Sequence, residues 1–159
     1  MNLTHPRALP YVLLAGGVLP LAFALVAQFG FGLPPCHFCM LQRYPYLVVA
    51  LCGVLLLRYP DQRYLLTALA IIGWLTTAGF GAYHTGVERG WVTYGGGCVT
   101  DTKPAASLDE LREQIAQAPQ VSCSDTMASF LGLSMATWNS VTALGWVVLT
   151  LYIYRRRPA

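Results

Sequence analysis

Four apolar runs constrain this chain more than any other feature. Tyr11 to Gly30 carries no charge, Met40 to Leu57 carries only Arg43, Tyr64 to Tyr83 carries none, and a shorter run ends at Tyr154. Each approaches the roughly 20 residues that a helix needs to cross a hydrocarbon core of about 30 Å. Composition agrees. Only 11% of the 159 residues are charged and 55% are hydrophobic, whereas soluble domains average about 25% charged. The net charge of +3 is small and its basic residues are dispersed, which argues against nucleic acid as a partner. The expected fold is an all-α membrane protein of one domain. It is a four-helix transmembrane bundle with approximate spans 11–30, 40–57, 64–83 and 136–154 and a long loop over 84–135.

Pro20 interrupts the first run, which a membrane helix tolerates when neighbouring groups satisfy the freed carbonyl. Ala22-Phe23-Ala24 also resembles a signal-peptide cleavage site, but the apolar run continues beyond it, so an uncleaved span is expected. Gly73, Ala78, Gly79, Gly81 and Ala82 in the third run allow close helix approach. Within the loop, Ser107 to Ala118 reads as a short amphipathic helix. Ser107 and Glu110 have capping-box spacing and Pro119 stops it. It either lies on the membrane surface or packs, solvated, on its own loop.

Placing both termini inside puts Arg7, Arg58, Arg63, Arg155, Arg156 and Arg157 on the inner side against Asp61 alone. The outer segments then carry most of the acids, and the basic residues at the inner helix ends obey the positive-inside rule. This orientation puts Cys36, Cys39, Cys98 and Cys123 on the outer side, which in a bacterium is the periplasm, where disulfides persist.

Cys36-His37-Phe38-Cys39 is a Cys-x-x-Cys pair that opens the second span. Unpaired amides at a helix N-terminus favour negative charge on the Cys39 sulfur. Arg43, four residues on, shares that helix face. It either serves the thiolate or an electron-rich acceptor, or anchors to headgroups. Cys98 and Cys123 form a second candidate pair, suited to meeting a soluble partner or simply closing the loop. Cys52, within the second run, reads as a small buried hydrophobe. His37 lies between the paired cysteines, and His84 ends the third span near the depth of Cys39 and Arg43. Four outer cysteines and two histidines are also compatible with structural zinc, although an oxidising compartment competes for the thiols.

Taken together, the four spans, the Cys36–Cys39 pair, Arg43 and the second cysteine pair resemble the bacterial disulfide bond formation protein B (DsbB) family. The run Phe130-Leu131-Gly132-Leu133-Ser134-Met135-Ala136-Thr137-Trp138-Asn139 is also similar to family members. The resemblance implies a membrane oxidoreductase that reoxidises a DsbA-like periplasmic thiol oxidase and passes the electrons to ubiquinone or menaquinone. It implies that Cys98 forms the mixed disulfide with the partner, Cys123 is its pair, and Cys36–Cys39 receives the electrons. Cys39 then faces the quinone, with Arg43 and His84 beside it. Gln42 stands where some relatives carry an acid. The alternative from another class is a membrane scaffold whose cysteines form structural disulfides or bind zinc.

Overall fold

A computed structural model describes residues 8–93, 107–109, 112, 123, 126 and 128–155. Helix α1 spans Ala8–Leu25 and ends in a wider π-turn over Val26–Gly30. A short helix, α2, covers His37–Leu41, and α3 follows at Arg43–Arg58. A single turn of 3-10 helix at Pro60–Gln62 leads into α4, Arg63–Glu88. Two short antiparallel strands, β1 (Ser129–Phe130) and β2 (Leu133–Ser134), precede α5, Met135–Arg155. The turn between them uses Leu131 and Gly132 at φ +53° and +76°, the left-handed pairing that matches strand twist in a tight hairpin.

Four helical segments are long and apolar enough to cross a membrane: Ala8–Gly30, His37–Arg58, Pro60–Glu88 and Met135–Arg155. The chain is a four-helix transmembrane bundle. Its outer surface is apolar in stripes at helical spacing. Leu47, Leu51 and Val54 on α3 are exposed, as are Leu144 and Val148 on α5. Apolar area on this scale belongs against lipid rather than water.

Because hydrocarbon gives apolar helices no hydrophobic reason to associate, close packing and interhelical hydrogen bonds must hold them together. Glycines supply the first. A Cβ on Gly17 of α1 would lie 2.6 Å from the Ala50 backbone nitrogen of α3, and one on Gly53 would lie 2.8 Å from the Leu14 nitrogen. Gly73 packs α4 on Val49, and Gly81 packs it on Ser140 and Ala136 of α5. Gly79 faces open space and Ala82 is exposed, so only part of the small-residue set expected in this span makes contacts.

Polar groups supply the second. Tyr46 donates to Asn139 Oδ1 at 2.7 Å, and Asn139 Nδ2 donates to Thr77 Oγ1 at 3.2 Å. Thr77 Oγ1 donates to the Gln42 carbonyl at 3.1 Å, and Ser140 donates to the Ala78 carbonyl at 3.0 Å. Trp74 and Trp146 stack at 6.1 Å, at the level of Gly16.

The spans begin or end a few residues away from the sequence expectation, with the first starting at Ala8 rather than Tyr11. The second span starts at α2, ahead of Met40, and α4 runs to Glu88, past Tyr83. Hydropathy stops at His84 and Glu88 because they are polar, yet their side chains are only 4% and 7% exposed. The proposed helix over Ser107–Ala118 falls almost wholly outside the described residues. Gly17→Val is expected to destabilise the bundle by about 1–3 kcal/mol through overpacking, and Gly79→Val to leave it unchanged. Unfolding midpoints in a fixed detergent will show this difference, and equal midpoints would contradict the packing described.

Candidate functional site

Pro34 and Pro35 cannot enter a helix interior, because proline lacks the N–H and clashes with the preceding turn, so α2 begins immediately after them. Cys36 caps it: extended at φ −74° and ψ 173°, it accepts the Cys39 N–H on its sulfur at 3.3 Å. The cap sulfur is therefore that of Cys36, and Cys39 sits one turn into the helix. The two thiols are free and face each other, with Cys36 Sγ donating to Cys39 Sγ at 2.8 Å. Donation to Cys39, and then burial, push the Cys36 thiol well above the usual range.

Around this pair the structure gathers groups from three other elements. His84 of α4 places Nε2 3.6 Å from Cys36 Sγ and 3.8 Å from Glu88 Oε1. Phe38 covers the imidazole at 5.4 Å between ring centroids. From the start of α3, Arg43 reaches back to α1, donating Nη1 to Gln28 Oε1 at 2.7 Å and Nη2 to the Ala24 carbonyl at 3.5 Å. The π-turn begins two residues beyond Ala24, and wider turns of this kind recur at functional sites. The Arg43 guanidinium and the Glu88 carboxylate are the charges acting on Cys39.

These side chains border a cavity of about 430 Å³, within the range of small-molecule sites. Its walls are mostly apolar, with Leu19, Phe23 and Ala27 from α1 and Trp138 and Trp146 from α5. Gln42, Arg43, His84 and Glu88 line it too. Each also has a buried side-chain atom without a hydrogen-bond partner, namely Gln42 Nε2, Arg43 Nε, His84 Nδ1 and Glu88 Oε2, and such orphaned polar atoms are costly and uncommon.

Cys36, Cys39, Arg43 and His84, expected from the sequence to act together, lie in this one place. Cys123 is fully buried and disulfide-bonded, and shares an apolar cluster with Cys36, Phe38 and Val87. Its backbone carbonyl lies against His84. Cys98 lies outside the described residues. His37 is exposed, whereas Cys52 is buried in the main core with Val49 and Leu56. Sequence reasoning missed Gln28 and Glu88. Gln28 is the only amide in an otherwise apolar first run, an expensive placement that signals use. Glu88 stands four residues after His84, on the same helix face.

In the reduced protein, Cys39 is the partly buried sulfur and Cys36 is 4% exposed with its proton held. A limiting dose of iodoacetamide at neutral pH is expected to modify Cys39 several-fold faster than Cys36. Peptide mass spectrometry reads the ratio, and equal labelling would refute the assignment.

The family model described as disulfide bond formation protein DsbB matches residues 6–153. A protein of Pseudomonas putida named disulfide bond formation protein B 1 is 34% identical over 84% of this chain and 82% of its own. Its namesake in Pseudomonas entomophila is 33% identical over 89% of this chain and 88% of its own. A disulfide bond formation protein B of Polaromonas naphthalenivorans is 31% identical over 94% of this chain and 92% of its own. No solved structure matches the chain closely enough to count as a relative.

Proposed function

The chain belongs to the DsbB family of membrane disulfide bond formation proteins, and from that premise we propose that it is a quinone-dependent protein thiol oxidase. It reoxidises a DsbA-like periplasmic dithiol protein and passes the electrons to ubiquinone or menaquinone in the bilayer. The observation that carries this reading is the cavity, where a cysteine pair and a half-buried guanidinium lie side by side within mostly apolar walls.

The residues present fit a quinone. Gln42 Nε2 and Arg43 Nε are donors for carbonyl oxygens, His84 lines the same end, and the apolar wall around Leu19 and Phe23 suits an isoprenoid tail. When bound, the quinone supplies an acceptor for two electrons and two protons. The chain's own part is thiol–disulfide exchange. The partner's thiolate attacks the second disulfide, and Cys98 takes the mixed disulfide by resemblance to the family. The partner's second thiol then releases the oxidised partner and leaves Cys98 and Cys123 reduced. Exchange with the Cys36–Cys39 disulfide reoxidises them and moves two electrons and two protons to Cys36 and Cys39. The burial of Cys123 in the same cluster as Cys36 supports a short path for this second exchange.

Cys39 lines the cavity and is the less buried sulfur, so it faces the acceptor while Cys36 holds its proton. Arg43 supplies positive charge beside it, held by Gln28. The direction of flow is downhill. DsbA is a strong oxidant at about −120 mV, so its reoxidation needs an acceptor of higher potential, such as a membrane quinone.

The membrane is taken to be the bacterial inner membrane, with both termini cytoplasmic and the cysteines periplasmic. Arg58, Arg63 and Arg155 lie at the helix ends opposite the cysteines, as the positive-inside rule asks, and disulfides persist in the periplasm.

The test uses the protein in lipid with a reduced DsbA-like partner and a ubiquinone analogue, following quinone absorbance and partner thiols together. Coupled loss of both is expected, abolished in Cys39→Ser. Arg43→Ala should lower kcat/KM for the quinone at least about tenfold, chiefly by raising the quinone KM. Gln28→Leu should do the same more weakly, since the guanidinium keeps its Ala24 contact. Cysteines that stay inert toward quinone would overturn the oxidase and leave a structural scaffold.

A further inference from the structure

The dithiol form of this site holds more acceptor groups for a soft cation than thiol exchange requires. Cys36 Sγ, Cys39 Sγ and His84 Nε2 all lie within 4.8 Å of one another. Glu88 adds a carboxylate whose Oε1 is 3.8 Å from that imidazole nitrogen and whose Oε2 is buried with no partner. The Glu88 side chain is 7% exposed, and His84 Nε2 is the one charge-pairing contact made by its carboxylate among the described residues. A buried carboxylate held this way calls for a cation, since burying a charge is expensive unless it is paired.

We propose that the reduced protein binds one thiophilic divalent cation, of the zinc or cadmium type, between Cys36, Cys39, His84 and Glu88. Two sulfurs, one imidazole and one carboxylate make a four-ligand set of the kind zinc prefers. The Cys-x-x-Cys spacing is that of zinc-binding turns, and Cys36 already accepts a backbone N–H as a cap. Metal–sulfur bonds of about 2.3 Å in a tetrahedron set the two sulfurs about 3.8 Å apart. They stand at 2.8 Å, so Cys39, the less buried of the two, must swing outward to make room.

The reaction balances without oxidation: the cation enters, two thiol protons leave, and no electron moves. Charge balances nearly as well. Two thiolates and one carboxylate leave a single negative charge after a divalent cation binds, and the Arg43 guanidinium is the positive group acting on Cys39. The consequence is an arrested state. A metal-bound dithiol cannot form its disulfide, so cation binding and oxidation compete for the same sulfurs. Oxidation to Cys36–Cys39 destroys the site and releases the metal.

The experiment needs neither quinone nor partner, so its result is separate from that of the oxidase reading. Full-length protein in detergent is reduced, freed of quinone and desalted, and then titrated with zinc or cadmium. Bound metal is counted by mass spectrometry, and cadmium–thiolate absorption reports the sulfurs. One ion per chain is expected, with Cys36 and Cys39 protected from alkylation and release of the ion on oxidation by diamide. Glu88→Gln should weaken binding at least about tenfold with both thiols intact, and His84→Ala more. The wild-type protein with Cys36–Cys39 oxidised is the folded control and should not bind. Equal binding by reduced and oxidised protein, protection of neither Cys36 nor Cys39, or unchanged affinity in both Glu88→Gln and His84→Ala would overturn the proposal.

Discussion

Asn139 is the side chain on which the geometry of the cysteine end depends. It accepts from Tyr46 on α3 and donates to Thr77 on α4, while Thr77 in turn donates to the Gln42 carbonyl at the break between α2 and α3. In hydrocarbon each such bond contributes modestly, about 0.6 kcal/mol on average in one membrane protein studied closely. Their value here is positional. They fix the rotation of three helices at the wall of the cavity, and that rotation decides which residues of α2, α3 and α4 converge on the sulfurs.

Glycine contacts then set how near the helices come. With Gly17 and Gly53 against α3 and α1, and Gly81 against α5, the backbones approach closely enough for short side chains to meet. Cys36, at the cap of α2, and His84 of α4 come within 3.6 Å of each other in this bundle. A polar site inside a bilayer is expensive, and this one gives its charged groups partners, Gln28 and Ala24 for Arg43 and His84 for Glu88.

Much of this was legible in the sequence, for physical reasons that apply to particular residues. Long runs without charge announce membrane helices because the bilayer leaves little alternative. Cys36, Cys39 and Arg43 stood out because two thiols at helix spacing and one cation in an apolar run are rare and costly. Gln28 did not, since it contributes through Arg43, remote from it in sequence, and Glu88 did not, since its polarity placed it beyond the apolar run rather than on the helix with His84. Hydropathy ended the third span at Tyr83, because a polar residue that faces inward carries the same letter as one that faces water. The cap on α2 was not legible, because a cysteine sulfur takes the role that serine or aspartate usually signals. The small residues of α4 read as one packing face, whereas Gly79 points away from every neighbour.

The second half of α1 has a further consequence. Its buried residues stop at Gly17, and Leu19, Phe23 and Phe29 are exposed although this stretch forms one wall of the cavity. In a bilayer those side chains meet acyl chains, so that wall is a side entrance from the lipid phase rather than a mouth opening on water. Traffic through it is governed by how much of a molecule is dissolved in the membrane. A water-soluble compound of the same shape would be excluded less by fit than by never partitioning to the doorway.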